Sequence, residues 1–401
     1  MTGLFRRRTY LPTRDLRDRY DVVVVGGGVN GLSLAYHLAA EHSIRDVAVL
    51  ERSYLGSGAS GRNTQVLRAN YNTPETVALY AAALARYRRL SQELDFNVLF
   101  TNQGELDLCH TEDSLQVERE KAALNRALGV RTDILAPDDI PAVCPLVDLD
   151  ADGFPVLGAS YHPPGSFARH DAVVWGYAQA AARRGVDLHQ GVEVTGVRTT
   201  GGRCTGVETS AGRVEAGHVV SAVAGRSSRL ASMAGVRLPI VTHLLQAFVT
   251  EPYRPVLKGL VSSMDLSIYI SQTARGELLA GAEIVPHATY STRSTFEFLA
   301  EAARRSVRIL PFMKSARAMR QWGGSCDMTP DSSPILGPTP VEGFGVMAGM
   351  GTWGFKGAPV FGATVAEYVA TGRVPALIAP FSLDRFREDR MVPDAASAGT
   401  H

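Results

Sequence analysis

The chain has 401 residues, and its 41 Lys and Arg residues against 40 Asp and Glu residues leave a formal net charge of +1. This length has room for about two or three domains with a large core. A balance so close to neutral gives no field that would hold nucleic acid or an anionic membrane, so we expect neither as a partner.

The four cysteines, Cys109, Cys144, Cys204 and Cys326, show no metal or disulfide pattern. They are far apart and form no C-x-x-C pair, so the sequence predicts neither a metal site nor a disulfide framework. This usage is typical of a reducing compartment, and we expect a cytoplasmic protein.

Nothing in the sequence predicts a membrane segment. No apolar stretch reaches the roughly 18 residues that a membrane span needs, and the N-terminus lacks the apolar core of a signal peptide. Residues 1–19 are predicted to form a solvated basic arm, and residues 391–401 a C-terminal tail.

The first predicted elements in chain order form a β-α-β unit. The valine run at 21–25 predicts a buried strand, the glycines at 26–31 a tight turn, residues 32–40 a helix and residues 47–51 a second strand. A glycine turn between two such strands is typical of a dinucleotide site.

Each glycine of this turn has a predicted role. Gly26 permits the tight turn, Gly28 lets the backbone approach a pyrophosphate, and Gly31 lets the helix pack closely on the sheet. The N–H groups at the start of the helix face the phosphates. Glu51, at the end of the second strand, can accept hydrogen bonds from an adenosine ribose and repels a 2′-phosphate, which disfavours NADP.

The rest of the chain alternates between helical and extended patterns. The spacing predicts helices over 74–94, 113–128, 171–184, 295–310 and 357–371. It predicts extended segments over 104–108, 186–188, 192–194, 203–213, 219–225, 244–283 and 345–351. The pattern predicts an α/β protein with a nucleotide domain from residues 20–95, 160–240 and 335–390, and a second domain from 96–159 and 241–334.

Five stretches of sequence identify a family: 56–71 (GSGASGRNTQVLRANY), 168–176 (ARHDAVVWG), 320–324 (RQWGG), 329–337 (TPDSSPILG) and 349–356 (GMGTWGFK). Through them the chain resembles the flavin-dependent amine oxidases of the D-amino-acid-oxidase type, and among these the β subunits of heterotetrameric sarcosine oxidases. The resemblance implies a Rossmann-like FAD-binding domain of the glutathione-reductase type and a β-sheet-based substrate domain.

By that resemblance the dinucleotide is FAD. Its pyrophosphate would lie on the glycine turn, its ribose on Glu51, its adenine against main-chain groups of Val194, and its isoalloxazine ring near Asn63 and Lys356. The implied FAD contacts are Gly26, Gly28, Val29, Asn30, Gly31, Glu51, Arg52, Ser60, Asn63, Thr64, Arg68, Val194, Gly351, Gly354 and Lys356. Cys326 stands close to, but not at, the position where single-chain relatives attach FAD, so we expect non-covalent FAD.

Arg68 and Lys356 match positions that bind the substrate carboxylate in related amine oxidases. We therefore predict that both residues are catalytic here. An arginine fork binds a carboxylate through two hydrogen bonds, and a partly buried lysine adds a point charge. Outside the motif context, either residue alone is more typical of a surface salt bridge.

Three departures from the family pattern leave the substrate's side chain undetermined. Trp353 replaces a small residue beside the expected pocket, where it narrows the site, offers an aromatic face to an alkylammonium group, or only packs. We include it among the predicted catalytic residues. Glu283 stands where glycine is expected, and residues 72–74 alter the surroundings of Arg68.

His170, in the motif ARHD, matches the histidine that carries a covalent FMN in the resembled β subunits, at the interface with a large α subunit. The start of a helix favours neutral imidazole, whose lone pair can attack a flavin methyl position. The side chains of Arg169 and Arg320 are suited to bind the FMN phosphate or to contact its ring. The resemblance implies covalent FMN at His170, an α subunit and small γ and δ subunits; a cap or surface role is the alternative.

The sequence thus favours oxidative demethylation of a secondary or tertiary amino acid by hydride transfer to FAD, with electrons passed to FMN. Leu279 lies near the position of an oxygen-activating lysine in single-chain relatives, which favours that route over a direct reaction with oxygen. Two alternatives remain: a stand-alone FAD amine oxidase, and a flavin-binding subunit that only relays electrons or scaffolds a complex. The glycine motif alone also allows an NAD-dependent reductase.

Overall fold

The computed structural model describes residues 11, 12, 14–150 and 153–394. Residues 1–10 and 13 of the predicted basic arm and residues 395–401 of the predicted tail lie outside this part, as does the side chain of Glu283.

The strands in chain order are β1 (Arg19–Val25), β2 (Val47–Glu51), β3 (Val66–Leu67), β4 (Thr101–Asn102), β5 (Glu105–Cys109), β6 (Asp133–Leu135), β7 (Gly158–His162), β8 (Ser166–Phe167), β9 (Asp187–Gln190), β10 (Val194–Thr200), β11 (Arg203–Thr209), β12 (Gly212–Ser221), β13 (Val241–Pro252), β14 (Leu260–Ser263), β15 (Ile268–Gln272), β16 (Glu277–Ile284), β17 (Ala318–Met328), β18 (Ile335–Pro338) and β19 (Phe344–Ala348). The helices are α1 (Val29–Glu41), α2 (Pro74–Glu93), α3 (Glu112–Ala127), α4 (Ile140–Val143), α5 (His170–Arg183), α6 (Ser227–Met233), α7 (Phe296–Ile309) and α8 (Gly354–Thr371).

The first sheet has the strand order β10-β11-β12-β1-β2-β9, with β19 paired to β12 and β18 paired to β19. β1 runs parallel to β2 and β12, β2 runs parallel to β9, and β12 runs parallel to β19. The carboxyl ends of these strands therefore meet at one edge, which is the edge where ligands bind in parallel sheets.

The valine run of β1 is buried on both faces of this sheet. Val22 and Val24 pack with residues of α1, α5 and α8, whereas Val23 and Val25 pack with residues of β11, β12 and α6. A parallel sheet covered on both sides needs a continuous apolar run rather than an alternating one, which explains the sequence of β1.

Helices α1 and α8 cross closely on one face of the sheet. A side chain at Gly362 would overlap Ser33, and the Ser33 hydroxyl donates to the Ala358 carbonyl oxygen at 2.8 Å. Pro359 inside α8 cannot donate to the Phe355 carbonyl oxygen, but the Tyr87 hydroxyl donates to that oxygen at 2.5 Å. This crossing sets the starts of both helices near the same edge of the sheet.

The second sheet has the strand order β17-β13-β16-β15-β14-β5-β7-β6. Its core is formed by alternating apolar residues of β5, β15 and β16, including Leu106, Ile270 and Ala280, and α7 packs on it through Ala302 and Ile309. A small third sheet has the order β3-β8-β4.

The predicted α/β class is confirmed, and each predicted long helix is present within about three residues of its predicted bounds. The largest functional difference is α8, which begins at Gly354 instead of residue 357 and so takes Lys356 into its first turn. The domain bounds stay a prediction. Among the described residues, no helix has both the length and the apolarity that crossing a membrane requires.

Candidate functional site

A cavity of about 1130 Å³ extends from the carboxyl edge of the first sheet to strands β5 and β14 of the second. The predicted site residues that line it are Gly26, Gly28, Val29, Asn30, Glu51, Arg52, Ser60, Asn63, Thr64, Arg68, Val194, Gly351, Gly354 and Lys356. The fold therefore brings the glycine turn and the predicted carboxylate clamp, which consists of Arg68 and Lys356, into one cavity.

The glycine turn after β1 is too crowded for larger side chains. Gly26 has a φ of +111°, and a Cβ there would overlap the Ala222 carbonyl oxygen. A Cβ on Gly31 would overlap the Gly26 carbonyl oxygen. Gly31 lies behind the cavity wall, in agreement with the close packing predicted for it.

The start of α1 is suited to an anionic ligand. Its N-cap is Gly28, which has no side chain to accept the first N–H groups of the helix. The Val29 N–H donates to Ser60 Oγ at 2.9 Å. Asn30 Oδ1 is buried in the cavity wall and has no hydrogen-bond partner among the described residues. An uncapped helix start beside an unpartnered polar atom fits the pyrophosphate and hydroxyl groups of a dinucleotide.

Glu51 is held at the tip of β2 by backbone donors. Its Oε2 accepts the Gly27 N–H at 3.0 Å, and its Oε1 accepts the Ser53 N–H at 2.9 Å and the Ser57 hydroxyl at 3.3 Å. The carboxylate lines the cavity beside the turn, where it can accept hydrogen bonds from ribose hydroxyls.

A second uncapped helix start faces the same cavity. The N-cap of α8 is Trp353, without a side-chain cap, and Gly351 and Gly354 line the cavity. Asp327 holds this loop, because its Oδ2 accepts the Gly349 N–H at 2.8 Å and its carbonyl oxygen accepts the Gly351 N–H at 3.0 Å. Burial raises the pKa of Asp327 to about 6.

Arg68 and Lys356 lie at the end of the cavity formed by the second sheet. Arg68 is buried, with Nη1 3.5 Å from Glu105 Oε1 and its guanidinium 4.8 Å from the centre of the Tyr71 ring. Lys356 is half-buried because it faces the cavity, and its Nζ donates to the Thr352 carbonyl oxygen at 3.4 Å. Burial and the charge of Arg68 lower the pKa of Lys356. A carboxylate between these two groups would stabilise both positive charges.

Buried acids on β5 also line this end of the cavity, and sequence reasoning missed them. Glu105 is 3% exposed and Asp107 is 8% exposed. Burial raises the pKa of Glu105, and the charge of Asp107 adds to this rise, whereas Arg68 opposes it. The sequence signal was available: two acids at alternate positions of an otherwise apolar strand share one face, and acids are rarely buried unless they are paired or functional.

Trp353 does not reach the cavity. Its side chain is 1% exposed and packs edge-on against Tyr71 and Tyr80, with ring centres 5.2 Å and 6.0 Å away. Thr352 and Gly354 on either side of it line the cavity, whereas Trp353 lies in the core of the helices on the first sheet. This position favours the packing alternative over the predicted catalytic role of Trp353.

His170 opens α5 and lies outside the cavity lining. Its Nδ1 is buried without a hydrogen-bond partner among the described residues. Burial lowers the pKa of His170, and the charges of Arg169 and Arg275 lower it further, against the opposing charge of Asp171. Arg169 is itself paired with Asp171, at 2.7 Å. The ring is thus biased toward the neutral form that keeps a nitrogen lone pair.

Arg320 is exposed on β17, the edge strand of the second sheet. The charges of Arg169 and Arg275 act on the His170 ring. The predicted contact of Arg320 with the FMN phosphate or ring stays a prediction. The loop before β16 carries Arg275 there, and no local sequence pattern connects that loop with His170.

Comparison with known proteins agrees with these features. Residues 21–368 match the protein-family model described as DAO, FAD dependent oxidoreductase. The sarcosine oxidase subunit beta of Rhodobacter capsulatus is 42% identical over 383 residues, which cover 96% of this chain and 92% of that protein. The corresponding subunit of an Arthrobacter species is 40% identical over 380 residues, which cover 94% of each.

Among solved structures, an L-proline dehydrogenase from P. horikoshii is similar with a TM-score of 0.88 and 27% sequence identity. The match covers 94% of this chain and 100% of that one. The whole architecture around the cavity is therefore shared with that enzyme, beyond the local glycine motif.

Proposed function

The chain belongs to the family of FAD-dependent oxidoreductases that includes the sarcosine oxidase β subunits, and we propose that it demethylates a sarcosine-like amine oxidatively. It is an enzyme with FAD as cofactor and an amine as electron donor. The proposed substrate is a secondary or tertiary amine that carries a carboxylate. The observation that carries this proposal is that Arg68 and Lys356 line the same cavity as the glycine turn.

The residues at the first-sheet end of the cavity fit FAD. The uncapped start of α1 and the Glu51 carboxylate suit pyrophosphate and ribose, and Val194 and Arg52 line the cavity beyond them. Asn63, Thr64 and the start of α8 would surround the isoalloxazine ring. FAD, when bound, supplies an acceptor for a hydride from the C–H bond next to the amine nitrogen.

Arg68 and Lys356 would bind the substrate carboxylate and fix the position of the amine. Burial lowers the pKa of Lys356, and an incoming carboxylate would restore its protonated form. The same positive charges favour the neutral amine over the ammonium form, and the neutral form is the one whose lone pair assists C–H cleavage. The orientation of the amine and the positive field of Arg68 and Lys356 promote the reaction, and no dedicated general base takes part. Water then hydrolyses the imine product, or tetrahydrofolate accepts its one-carbon unit if an α subunit is present.

His170 is the proposed attachment site of a covalent FMN. The unpartnered Nδ1 and the lowered pKa of the ring support a neutral imidazole whose lone pair is available for a bond to the cofactor. The neighbouring arginines would hold the FMN phosphate. FMN at this position would supply an onward acceptor for electrons from the amine.

The proposal includes an α subunit with small γ and δ subunits, and it rests on the relatives, which are named as subunits of sarcosine oxidase. An exposed apolar side chain on edge strand β17, Met319, adjoins Arg320 and supports this face as the contact surface. Met319 is 57% exposed. Met and Arg are both enriched at protein interfaces relative to the rest of the surface.

Anaerobic titration of the holoenzyme, purified with its partners, tests the oxidation. We expect sarcosine or another N-methyl amino acid to bleach the flavin absorption band. Absence of bleaching by any carboxylated amine would favour the electron-relay or scaffold alternative.

Mass spectrometry of the denatured chain tests the second cofactor. We expect the mass of one FMN on the peptide that contains His170, and its loss in His170→Ala. An unmodified peptide from material purified with its partners would remove the FMN from the proposal.

A further inference from the structure

The cavity continues along β5 beyond the proposed carboxylate clamp. Glu105 and Asp107 alternate along this strand and line the cavity, whereas Leu106 between them packs in the core of the second sheet. Two residues along a strand span about 7 Å, so the two carboxylates form a short acidic track that leads away from Arg68.

Both acids keep one oxygen without a donor. Glu105 Oε1 lies 3.5 Å from Arg68 Nη1, but Glu105 Oε2 is buried and has no hydrogen-bond partner in the described chain. Asp107 Oδ1 accepts the Ser262 hydroxyl, whereas Asp107 Oδ2 has no hydrogen-bond donor among the described residues. Buried carboxylate oxygens are normally satisfied, so two such atoms in one cavity wall point to a ligand that donates hydrogen bonds.

The nearby lysine is already engaged. Lys121 Nζ lies 2.6 Å from Glu118 Oε1 and 3.7 Å from Asp107 Oδ2, and Glu118 also accepts the Ser160 hydroxyl. The closer partner of Lys121 is therefore Glu118, and Asp107 receives only the longer contact.

A substrate carboxylate changes the balance of charge at this end. Without substrate, the positive charge of Arg68, whose Nη1 lies 3.5 Å from Glu105 Oε1, compensates the carboxyl groups of Glu105 and Asp107, and Lys356 lines the same cavity. Once a carboxylate occupies Arg68 and Lys356, the two acids lose much of that compensation. A positive group on the substrate would restore it and would also donate to the unpartnered oxygens.

We propose that Glu105 and Asp107 bind a second, cationic group of the substrate, so that the enzyme prefers N-substituted amino acids with a basic side chain. This inference rests on the proposed function, because it takes the carboxylate to lie on Arg68 and Lys356. An ammonium or guanidinium at the end of a lysine-like or arginine-like side chain would lie on the acidic track.

Anaerobic stopped-flow reduction of the holoenzyme compares Nα-methyl-lysine with Nα-methyl-norleucine, each as both enantiomers. The two differ chiefly in the terminal ammonium. We expect the reduction efficiency to be at least about tenfold higher for the lysine derivative, because a desolvated charge pair favours the matching ligand. Glu105→Gln should bring the ratio close to one.

Asp187→Asn is the matched control. Asp187 is also a buried carboxylate beside an arginine, 2.7 Å from Arg14, but it lies outside the cavity lining. The ratio should be unchanged in this variant. If Glu105→Gln does not fold, the inference is tested by comparing the ratio of the two reduction efficiencies in the unaltered enzyme and in Asp107→Asn.

The outcomes separate this inference from the proposed function. Equal reduction by both amino acids would overturn the inference and leave the proposed function intact. No reduction by either compound or by sarcosine would overturn the proposed function, and the inference with it. A preference that survives in Glu105→Gln and Asp107→Asn would assign the cationic group to other residues and refute the acidic track.

Discussion

The two ends of the cavity are built from different chemistry. At the first-sheet end, main-chain N–H groups, glycines and the uncapped start of α1 form the walls, and Glu51 is oriented by the Gly27 N–H. At the second-sheet end, charged side chains from β5, α8 and the segment after β3 meet in a buried cluster around Arg68, Glu105 and Lys356.

This difference decides how each end responds to change. Backbone geometry at the first-sheet end tolerates little added volume, but the loss of one side chain there removes only one of many contacts. At the second-sheet end each charge is compensated by one or two neighbours, so a single substitution alters the whole balance. The first end is therefore sensitive to size and the second to charge.

Lys356→Met is expected to have the largest effect. Removal of one charge that contacts a buried anionic ligand costs about 2–5 kcal/mol, so kcat/KM for sarcosine should fall at least about 30-fold. Steady-state kinetics on enzyme with full FAD content measures this. Lys314→Met, at an exposed lysine, is the control and should match the unaltered enzyme. Undiminished turnover in Lys356→Met would exclude the proposed clamp.

Gly31→Ala tests the sensitivity of the first-sheet end to size. The added Cβ overlaps the Gly26 carbonyl oxygen, a backbone atom that moves only with the turn. Overpacking of this kind costs about 1–3 kcal/mol, which corresponds to roughly 5- to 150-fold weaker FAD binding. Fluorescence titration of apoprotein with FAD measures the affinity. Gly196→Ala, where a Cβ meets only ordinary contacts on β10, should bind normally; equal affinity in both variants would contradict the packing argument.

The pH dependence of anion binding tests the second-sheet end. Acetate needs protonated Lys356, so its affinity is highest below the pKa of Lys356 and is lost as the pH rises through it. Because burial lowers that pKa, the loss should occur well below the usual lysine range near 10.5. Deprotonation of Glu105, whose pKa burial raises, acts in the same direction. If the pKa of Lys356 is one unit higher in the acetate complex than in the free enzyme, the acetate affinity changes about tenfold across the titration.

Flavin difference spectra give the acetate dissociation constant at each pH. Lys356→Met should bind acetate weakly and lack the lysine part of this dependence. An affinity that stays constant up to the normal lysine range would contradict the lowered pKa.

Ser60→Ala should have the smallest effect. It removes the acceptor of the Val29 N–H, which ties residue 60 to the start of α1. One such hydrogen bond contributes about 1 kcal/mol to the folded structure, so the FAD affinity should fall by no more than roughly fivefold. The same fluorescence titration measures it, with Ser315→Ala, at an exposed serine, as the control. A loss as large as that in Gly31→Ala would show that side chains dominate this end after all.

The nucleotide unit could be predicted from the sequence because its causes are local. The valine run, the glycine spacing and the acid at the end of the second strand act within residues 19–51, and β1, α1 and β2 follow them closely. The motif at 349–356 likewise predicted a loop at the cavity. It did not predict the start of α8 at Gly354, which moves Pro359 from the first turn of the predicted helix into the helix interior. The Tyr87 hydroxyl that compensates for Pro359 there comes from α2.

What the sequence by itself determined was therefore the class of cofactor site, since strand, turn and helix propensities act between neighbouring residues. Only the tertiary structure decided that Trp353 packs against Tyr71 and Tyr80, that the charge of Arg275 acts on His170, and that Glu105 faces Arg68. Charge interactions depend on distance in space and on burial, and neither quantity is encoded by the spacing of residues along one strand.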